Sequence, residues 1–216
     1  MKQTAREILI LTCEHASNKL PAAFKRGVPA EVLKTHRAYD IGAVQVFRKL
    51  VKFAKPEFSS EGKFSRLFVD LNRSITNNST FSDFLRNNAK AKDQATAYWT
   101  EYRNAIEKFV ASSLSLPKRA AKNTTVIHLG IHSFTPELNG KVRNTDIGIL
   151  YAPARPLERA YAKVIKDEIK RLYPAMKVRF NYPYKGTTDG LTTTLRKKFG
   201  PHYVGIEIEI NQKFFL

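Results

Sequence analysis

The stretch that decides the fold is residues 124–131, with the sequence TTVIHLGI. Its apolar run from Val126 to Ile131, like the run from Ile8 to Thr12, is typical of a central strand that is covered on both faces. Outward from this stretch, apolar runs alternate with segments of helical period, and no linker interrupts the pattern. The sequence therefore predicts an α/β fold in a single domain that spans residues 1–216.

The same patterns predict individual elements. Strands are expected at residues 7–13, 65–71, 124–131, 146–151, 177–181 and 204–210. Apolar positions spaced by three and four residues predict helices within residues 41–51, 98–110 and 157–172. Residues 76–92 and 134–143 have no clear period and contain Asn, Ser, Pro and Gly, so we expect long loops there, and such loops often surround a site.

The charge of the chain is strongly positive. Its 216 residues include 37 Lys and Arg against 19 Asp and Glu, a formal net charge of +18. This charge is compatible with nucleic-acid binding, but the basic clusters are short, namely Lys118, Arg119 and Lys122, and Arg196, Lys197 and Lys198. We expect a basic surface that binds polyanions weakly, and no specific nucleic acid. The hydrophobic share of 43% excludes a disordered basic tail.

Cysteine content and apolar run length bear on the compartment. The single cysteine, Cys13, excludes an intrachain disulfide framework and favours a reducing compartment. The apolar run from Ile8 to Leu11 is too short for a signal sequence or a membrane span. We expect a soluble, cytoplasmic protein with no membrane partner.

Histidines give the first indication of chemistry. Of the five in the chain, His15 and His132 follow predicted strands. Ligands of open α/β sheets bind outside the carboxyl ends of the strands, and two imidazoles delivered there can share a metal ion. His128 lies on the same face of the same strand as His132, so we expect it behind the site, bonded to a neighbour. We assign no role to His36 or His202.

Carboxylates would supply a third ligand and a base. Asp40 lies at a predicted helix start, where capping is the ordinary role of Asp, and Glu14 is adjacent to His15. Glu207 and Glu209 alternate with isoleucines, so both lie on the opposite face of the last strand. If helices cover that face, the two charges must be paired or used, and Glu209 is then a candidate general base. The alternative is an edge strand with a solvated polar face.

Three arginines, Arg66, Arg73 and Arg143, lie near predicted strand ends. Guanidinium groups bind carboxylates in bidentate fashion, so these residues are candidates for holding an acidic substrate. Structural ion pairs with Asp70 and Asp146 are the alternative.

An ordered set of motifs resembles the N-formylglutamate amidohydrolase family. The matching stretches are CEHASN at 13–18, DIGA at 40–43, Arg66, DLNR at 70–73, HSFTP at 132–136, Arg143, IGILY at 147–151, NYPY at 181–184 and EINQ at 209–212. Each stretch is weak by itself. Together they cover nearly the whole chain in the family's order, which makes the resemblance specific.

The resemblance implies a three-layer α/β/α fold with a mixed, mostly parallel sheet, like that of zinc-dependent exopeptidases. It also implies one divalent metal ion, zinc, at His15 and His132, with Asp40 as the third ligand and Glu14 as the alternative. Glu209 would activate a water molecule. Arg143 would take part in catalysis by holding the substrate carboxylate.

Further site residues lie within the matching motifs. The side chains expected to contact substrate are Asn18, Arg66, Asp70, Arg73, Ser133 and Tyr184. Those expected to support the site from behind are Glu14, His128 and Glu207. The chain departs from the family at Asn211, where an arginine is common, and in the stretch from Asp189 to Arg196, where a histidine is usual, so its substrate can differ from formylglutamate.

The resemblance therefore implies hydrolysis of a C–N amide bond in a small anionic N-acyl amino acid. A cell-wall peptide amidase or peptidase of the same fold is the alternative within the enzymes. A non-catalytic, basic nucleic-acid-binding module is the alternative outside them. Nucleophilic catalysis by the Cys13 thiol is a third hypothesis, for which only the adjacent His15 suggests activation.

Overall fold

Strands and helices alternate in a computed structural model of the chain, which describes residues 6–25, 27–85, 88–115 and 124–216. The strands are β1 (Arg6–Cys13), β2 (Phe58–Glu61), β3 (Thr124–Phe134), β4 (Glu137–Leu138), β5 (Lys141–Val142), β6 (Ile147–Leu150), β7 (Val178–Phe180) and β8 (Tyr203–Asn211). The α-helices are α1 (Ala22–Lys25), α2 (Ala43–Ala54), α3 (Ala89–Leu114), α4 (Pro156–Leu172) and α5 (Leu191–Phe199). Short 3₁₀ helices lie at Val32–Lys34, Asp83–Leu85, Gly200–His202 and Gln212–Phe214.

Six of these strands form one sheet in the order β2-β1-β3-β8-β6-β7. Its pairings are parallel except that between β6 and β8. The mixed, mostly parallel sheet is therefore confirmed. Because β1, β3 and β8 are parallel neighbours, their carboxyl ends meet at one edge. β6 runs in the opposite direction, so the residues that precede it reach that same edge.

Alternation along the strands separates the core into two faces. Ile8 of β1 and Val126 of β3 pack with apolar side chains of α3 and α5. The residues next to them in sequence, Leu9 and Ile127, pack on the other face, where the apolar residues of α2 and α4 lie. Helices thus cover both faces, which gives the three α/β/α layers. Among the helices in the described ranges, none combines the length and apolar character needed to span a bilayer.

The start of α2 fixes one part of the site. Gly42 precedes the helix with φ of 84°, a left-handed conformation that side chains other than glycine rarely adopt. A Cβ at this position would lie 2.1 Å from the Phe215 ring. The C-terminal segment therefore packs directly against the turn that carries Asp40.

The strand predicted at 65–71 is wrong. This segment forms a turn and an irregular stretch, in which Arg66 N donates to Ala38 O and Asp70 N donates to Thr80 O. Its apolar character has another cause, since Leu67 and Phe68 are buried in the core on the α3 side of the sheet. The neighbouring sheet strand is instead β2, which is short and only half-buried, so its sequence FSSE gave no strand pattern.

Other differences concern element bounds. β3 continues to Phe134, so His132 lies within a strand and not after one. The β4–β5 hairpin occupies part of the predicted 134–143 loop, α3 begins inside the predicted 76–92 loop, and α5 had not been predicted. The basic cluster at Lys118, Arg119 and Lys122 lies outside the described residues. In the second cluster Arg196 is buried and paired with Glu158, so the expected basic surface does not include it.

Candidate metal and catalytic site

Three neighbouring strands and one turn bring the central side chains together. Glu14 and His15 directly follow β1, and His132 lies near the end of β3. Glu209 of β8 is the register partner of His132. Asp40 lies in the turn before α2, where its backbone N–H donates to His15 O at 3.0 Å. All five side chains are buried.

Two imidazoles and one carboxylate from this set form a close group. Ligand atoms of His15, Asp40 and His132 all lie within 4.8 Å of one another. Asp40 Oδ2 lies 3.4 Å from His15 Nδ1 and 3.0 Å from His132 Nδ1. The same oxygen accepts the Ser133 backbone N–H at 3.3 Å. One carboxylate oxygen thus faces the same nitrogen of both rings.

The other nitrogen of each ring is held by a carboxylate. His15 Nε2 lies 2.8 Å from Asp70 Oδ1, and His132 Nε2 lies 3.0 Å from Glu14 Oε2. An ionised carboxylate only accepts hydrogen bonds, so each Nε2 carries the hydrogen. In the neutral rings both Nδ1 lone pairs then face Asp40 Oδ2. With both rings neutral, these three converging acceptors attract a cation, so the donor set fits a divalent metal ion; without a metal, protonation of the imidazoles supplies the positive charge.

Arg66 supplies positive charge to the same group. Its Nη2 donates to Asp40 Oδ1 at 2.8 Å and also contacts His15 Nδ1. A metal ion and Arg66 cannot use the same lone pair, so metal binding requires Arg66 to release His15 Nδ1 while it can keep Asp40 Oδ1. Although burial alone raises the pKa of the Asp40 carboxyl, Arg66 and the imidazoles hold it well below its usual range.

The imidazoles and their carboxylates stabilise each other's charge. Burial lowers the pKa of His132, but Asp40 and Glu14 outweigh it and raise the pKa well above its ordinary value. Burial likewise opposes ionisation of Glu14, yet the bond to His132 lowers its pKa to about 2. The pKa of Asp70 is lowered in the same way by His15. The site therefore holds ionised carboxylates around a centre that attracts cations.

Glu209 differs from the other carboxylates. Its Oε2 is buried and, among the described residues, has no hydrogen-bond partner. Burial, followed by the charges of Asp40 and Glu207, raises its pKa to about 7 against the lowering effect of His132. A carboxylate oxygen without a partner, on a residue that lines a cavity, is free to accept a proton from a substrate or a water molecule.

Glu207 lies two residues earlier on the same face and is fixed by neighbours. Its Oε1 accepts from Thr192 Oγ1 at 3.0 Å and from Asn72 Nδ2 at 3.5 Å. Asn72 Nδ2 also lies 3.5 Å from His132 Nε2, and its Oδ1 accepts from Leu191 N at 2.8 Å. The structure thus adds Asn72, a member of the quoted DLNR motif to which we had assigned no role.

A cavity of about 140 Å³ opens over the group. Its lining includes most of the predicted residues, with Leu150, Thr188 and Asp189 as additions beyond Asn72: His15, Asp40, Arg66, Asp70, Asn72, Arg73, His132, Ser133, Leu150, Tyr184, Thr188, Asp189, Glu207 and Glu209. The additions come from β6 and from the loop before α5. Arg73 Nη1 donates to Asp189 O at 2.5 Å, and Asp189 Oδ2 accepts from Ser74 and Asn77, so two loops are tied together at the rim.

Glu14 and His128, which were expected behind the site, are outside this lining, and so are two residues that were expected at the substrate, Asn18 and Arg143. Asn18 Nδ2 donates to Leu33 O at 3.1 Å, so its amide is engaged with the 3₁₀ segment at Val32–Lys34. Arg143 is outside the lining but contacts one of its members, Tyr184, whose hydroxyl accepts from Arg143 Nη1 at 3.2 Å. Tyr184 is 43% exposed, so this pair forms part of the rim.

Cys13 is buried and packs in the core on the α2 side of the sheet. Burial, followed by the charges of Asp40 and Glu14, raises the pKa of its thiol well above the ordinary value. A thiol that stays protonated is a weak nucleophile. The hypothesis of Cys13 catalysis therefore has no support from its surroundings.

Fold and site together define an α/β protein with an acid-rich ligand site at the carboxyl edge of its central strands. The model of the N-formylglutamate amidohydrolase family matches residues 8–216, and the chain belongs to that family of amidohydrolases. Among solved structures, the crystal structure of gene product Atu2144 from Agrobacterium tumefaciens is similar to this chain, with 28% identity and a TM-score of 0.76. The similarity covers 98% of this chain and 83% of that one. A comparison with curated proteins gives no match.

Proposed function

We propose that the chain is a single-domain, zinc-dependent hydrolase of the amide bond in small anionic N-acyl amino acids, of which N-formylglutamate is the first candidate. The observation that carries this proposal is the convergence of His15 Nδ1, His132 Nδ1 and Asp40 Oδ2 beside the unpartnered carboxylate of Glu209. Membership of an amidohydrolase family supports the same reaction.

The metal would be held by His15, His132 and Asp40. A bound zinc ion polarises a carbonyl and lowers the pKa of water at its open position. Of the two candidates for the acidic ligand, Asp40 is favoured, because its Oδ2 faces both Nδ1 atoms, whereas Glu14 bonds the far nitrogen of His132. Glu14 then orients a ligand, as carboxylates behind metal-bound histidines generally do.

Glu209 is proposed as the general base and acid. Its carboxylate takes a proton from the attacking water and passes it to the departing nitrogen, so that the amide and water become a carboxylate and an amine. A pKa raised to about 7 suits both halves of this transfer near neutral pH. Desolvation by burial, the first cause of the rise, also strengthens electrostatic interactions with the reacting groups.

Arginines at the cavity would bind the substrate's carboxylate. Arg73 lines the cavity and Arg66 is directed at its centre, and a guanidinium can bind a carboxylate through two parallel hydrogen bonds. Arg143 and Tyr184 form a pair at the rim that would contact the outer end of the substrate. Ser133 is engaged with Ile41 O and Gln212, so its role is to shape the wall.

Cavity size favours this proposal over the cell-wall amidase. Pockets for drug-sized ligands span about 300–1,000 Å³, whereas this cavity measures about 140 Å³. A long peptide stem needs a more open cleft. The proposal also has more support than the nucleic-acid module, because the buried polar residues converge on the cavity and Arg196 of one basic cluster is in the core.

Metal analysis with a substrate screen tests the proposal. We expect about one zinc ion per purified chain and hydrolysis of at least one N-formyl, N-acetyl or N-succinyl amino acid with an acidic side chain. The amine product would be measured with a primary-amine reagent. A metal-free chain that hydrolyses none of these compounds, but binds DNA or RNA in a salt-dependent way, would overturn it.

A further inference from the structure

Three buried polar side chains beneath the site take no part in the proposed reaction. Thr12, His128 and Tyr203 lie on β1, β3 and β8, on the face that carries the site, and each is 0% exposed. His128 Nε2 lies 2.7 Å from Thr12 Oγ1, and His128 Nδ1 lies 2.5 Å from the Tyr203 hydroxyl. Thr12 also bonds the side chain of Glu14. A continuous row of hydrogen bonds therefore runs from Tyr203 to Glu14.

The direction of the hydrogen bonds in this row follows from its last member. Both Glu14 oxygens face donors, Oε1 the Tyr102 hydroxyl and Oε2 the His132 Nε2, so Glu14 is the acceptor at which the single Thr12 hydroxyl hydrogen is directed. Thr12 Oγ1 must then accept from His128, whose Nε2 carries the hydrogen. His128 Nδ1 is left as the acceptor for the Tyr203 hydroxyl. Every donor in the row points toward Glu14.

Glu14 transmits this orientation to the candidate metal ligand. Tyr102 also donates to Glu14, from its hydroxyl to Oε1 at 3.3 Å, which leaves Oε2 facing His132 Nε2 at 3.0 Å. With both carboxylate oxygens placed, the His132 hydrogen is fixed on Nε2 and its Nδ1 lone pair is directed at the metal position. The other ligand, His15, is oriented differently, by Asp70 from a loop.

We propose that Thr12, His128 and Tyr203 are positioning residues that lock His132 in the tautomer whose Nδ1 binds the metal. This inference rests on the proposed function, because it concerns the same metal site. The row does not carry protons to solvent, since Tyr203, its far end, is completely buried. Its effect is on geometry, through Glu14, and so on metal affinity. Outer partners of metal-bound histidines typically change affinity by about 10–100-fold.

The main test is the zinc dissociation constant of Thr12→Val, measured by competition with a chromogenic chelator. Valine keeps the shape of threonine but removes the hydroxyl. We expect zinc binding about 10–100-fold weaker than in the wild type, and recovery to within about threefold in Thr12→Ser. Thr145→Val is the matched control, because Thr145 is equally buried but its hydroxyl has no partner among the described residues. The affinity of this control should be unchanged.

A second readout is the protonated nitrogen of His132 in the zinc-loaded protein, from nitrogen-15 NMR of the imidazoles. We expect hydrogen on Nε2 and metal on Nδ1. If Thr12→Val does not fold, Tyr203→Phe decides, with an expected weakening of about threefold or more. Wild-type affinity in Thr12→Val or Tyr203→Phe, or ligation through Nε2, overturns the inference and leaves the metal site standing. A wild type that binds no zinc overturns both.

Discussion

The unpartnered carboxylate of Glu209 leads to a prediction with two opposite effects. Glu209→Gln keeps the size of the side chain and removes its charge. As general base the carboxylate contributes about 10²–10⁴ in rate, or about 3–5 kcal/mol of the barrier, so turnover should fall by that factor. The same substitution removes a charge that is buried with no partner at Oε2, so it should stabilise the metal-free protein by about 1–3 kcal/mol.

Glu207→Gln is the matched control on the same strand and face. Glu207 already has partners in Thr192 and Asn72, and the amide oxygen of glutamine can still accept from both. We expect less than about a tenfold loss of turnover, no stabilisation, and at most about 1 kcal/mol of destabilisation. The pair of variants therefore separates loss of a base from loss of any buried negative charge.

The assay combines three measurements on each variant: zinc content by elemental analysis, kcat on the best substrate from the screen, and urea unfolding of the chelator-treated protein. Glu209→Gln should retain zinc. If this variant with a full complement of zinc keeps more than a tenth of the wild-type kcat, Glu209 is not the base. If the variant is no more stable than the wild type, the reasoning from its unpartnered oxygen is wrong.

Further predictions concern the metal, pH and one buried ion pair. Chelation should abolish hydrolysis and added zinc should restore it, whereas His132→Ala should not regain activity with zinc; activity that survives chelation in the wild type would contradict this. Burial lowers the pKa of His128 to about 4, below its unfolded value of about 6.5. The unfolded state therefore takes up a proton first, and urea unfolding should show up to about 3 kcal/mol of stability lost as the pH falls from 6.5 to 4. His128→Gln should lack that part of the slope, and an identical slope would refute the assignment. Arg196→Met removes one of two arginine partners of the buried Glu158 carboxylate, since Arg155 remains, and should cost about 1.5–3 kcal/mol. Lys198→Met, which breaks an exposed pair with Glu107, should cost less than about 1 kcal/mol. Equal losses of the two variants in thermal unfolding would show that burial of the ion pair does not determine its contribution to stability.

Strand patterns were informative where strands are central and buried. β1, β3 and β8 could be predicted because their apolar runs are long, and this placed His15, His132 and Glu209 at one edge. β2 could not be, because a short, half-buried strand carries little apolar signal. The error at 65–71 is the converse case. Leu67 and Phe68 are buried in the core and give an apolar pattern, but they do not belong to the sheet.

Site residues on loops were harder to predict. Asn72 contacts Glu207 and Leu191, which are 135 and 119 residues away in sequence. Thr188 and Asp189 reach the cavity through a loop, and loops have no periodicity from which a direction can be inferred. Asn18 illustrates the reverse case: its motif lies at the site, but its amide bonds Leu33.

The division of the central strands into two faces has a consequence for mutational tolerance. In β3 and β8, residues such as Ile131 and Ile208 belong to the apolar clusters on the α2 and α4 side, so a library of random substitutions should accept several branched apolar residues there. Their neighbours His132 and Glu209 should accept almost none. After selection for activity, positions that tolerate substitution should therefore alternate with invariant positions along each strand.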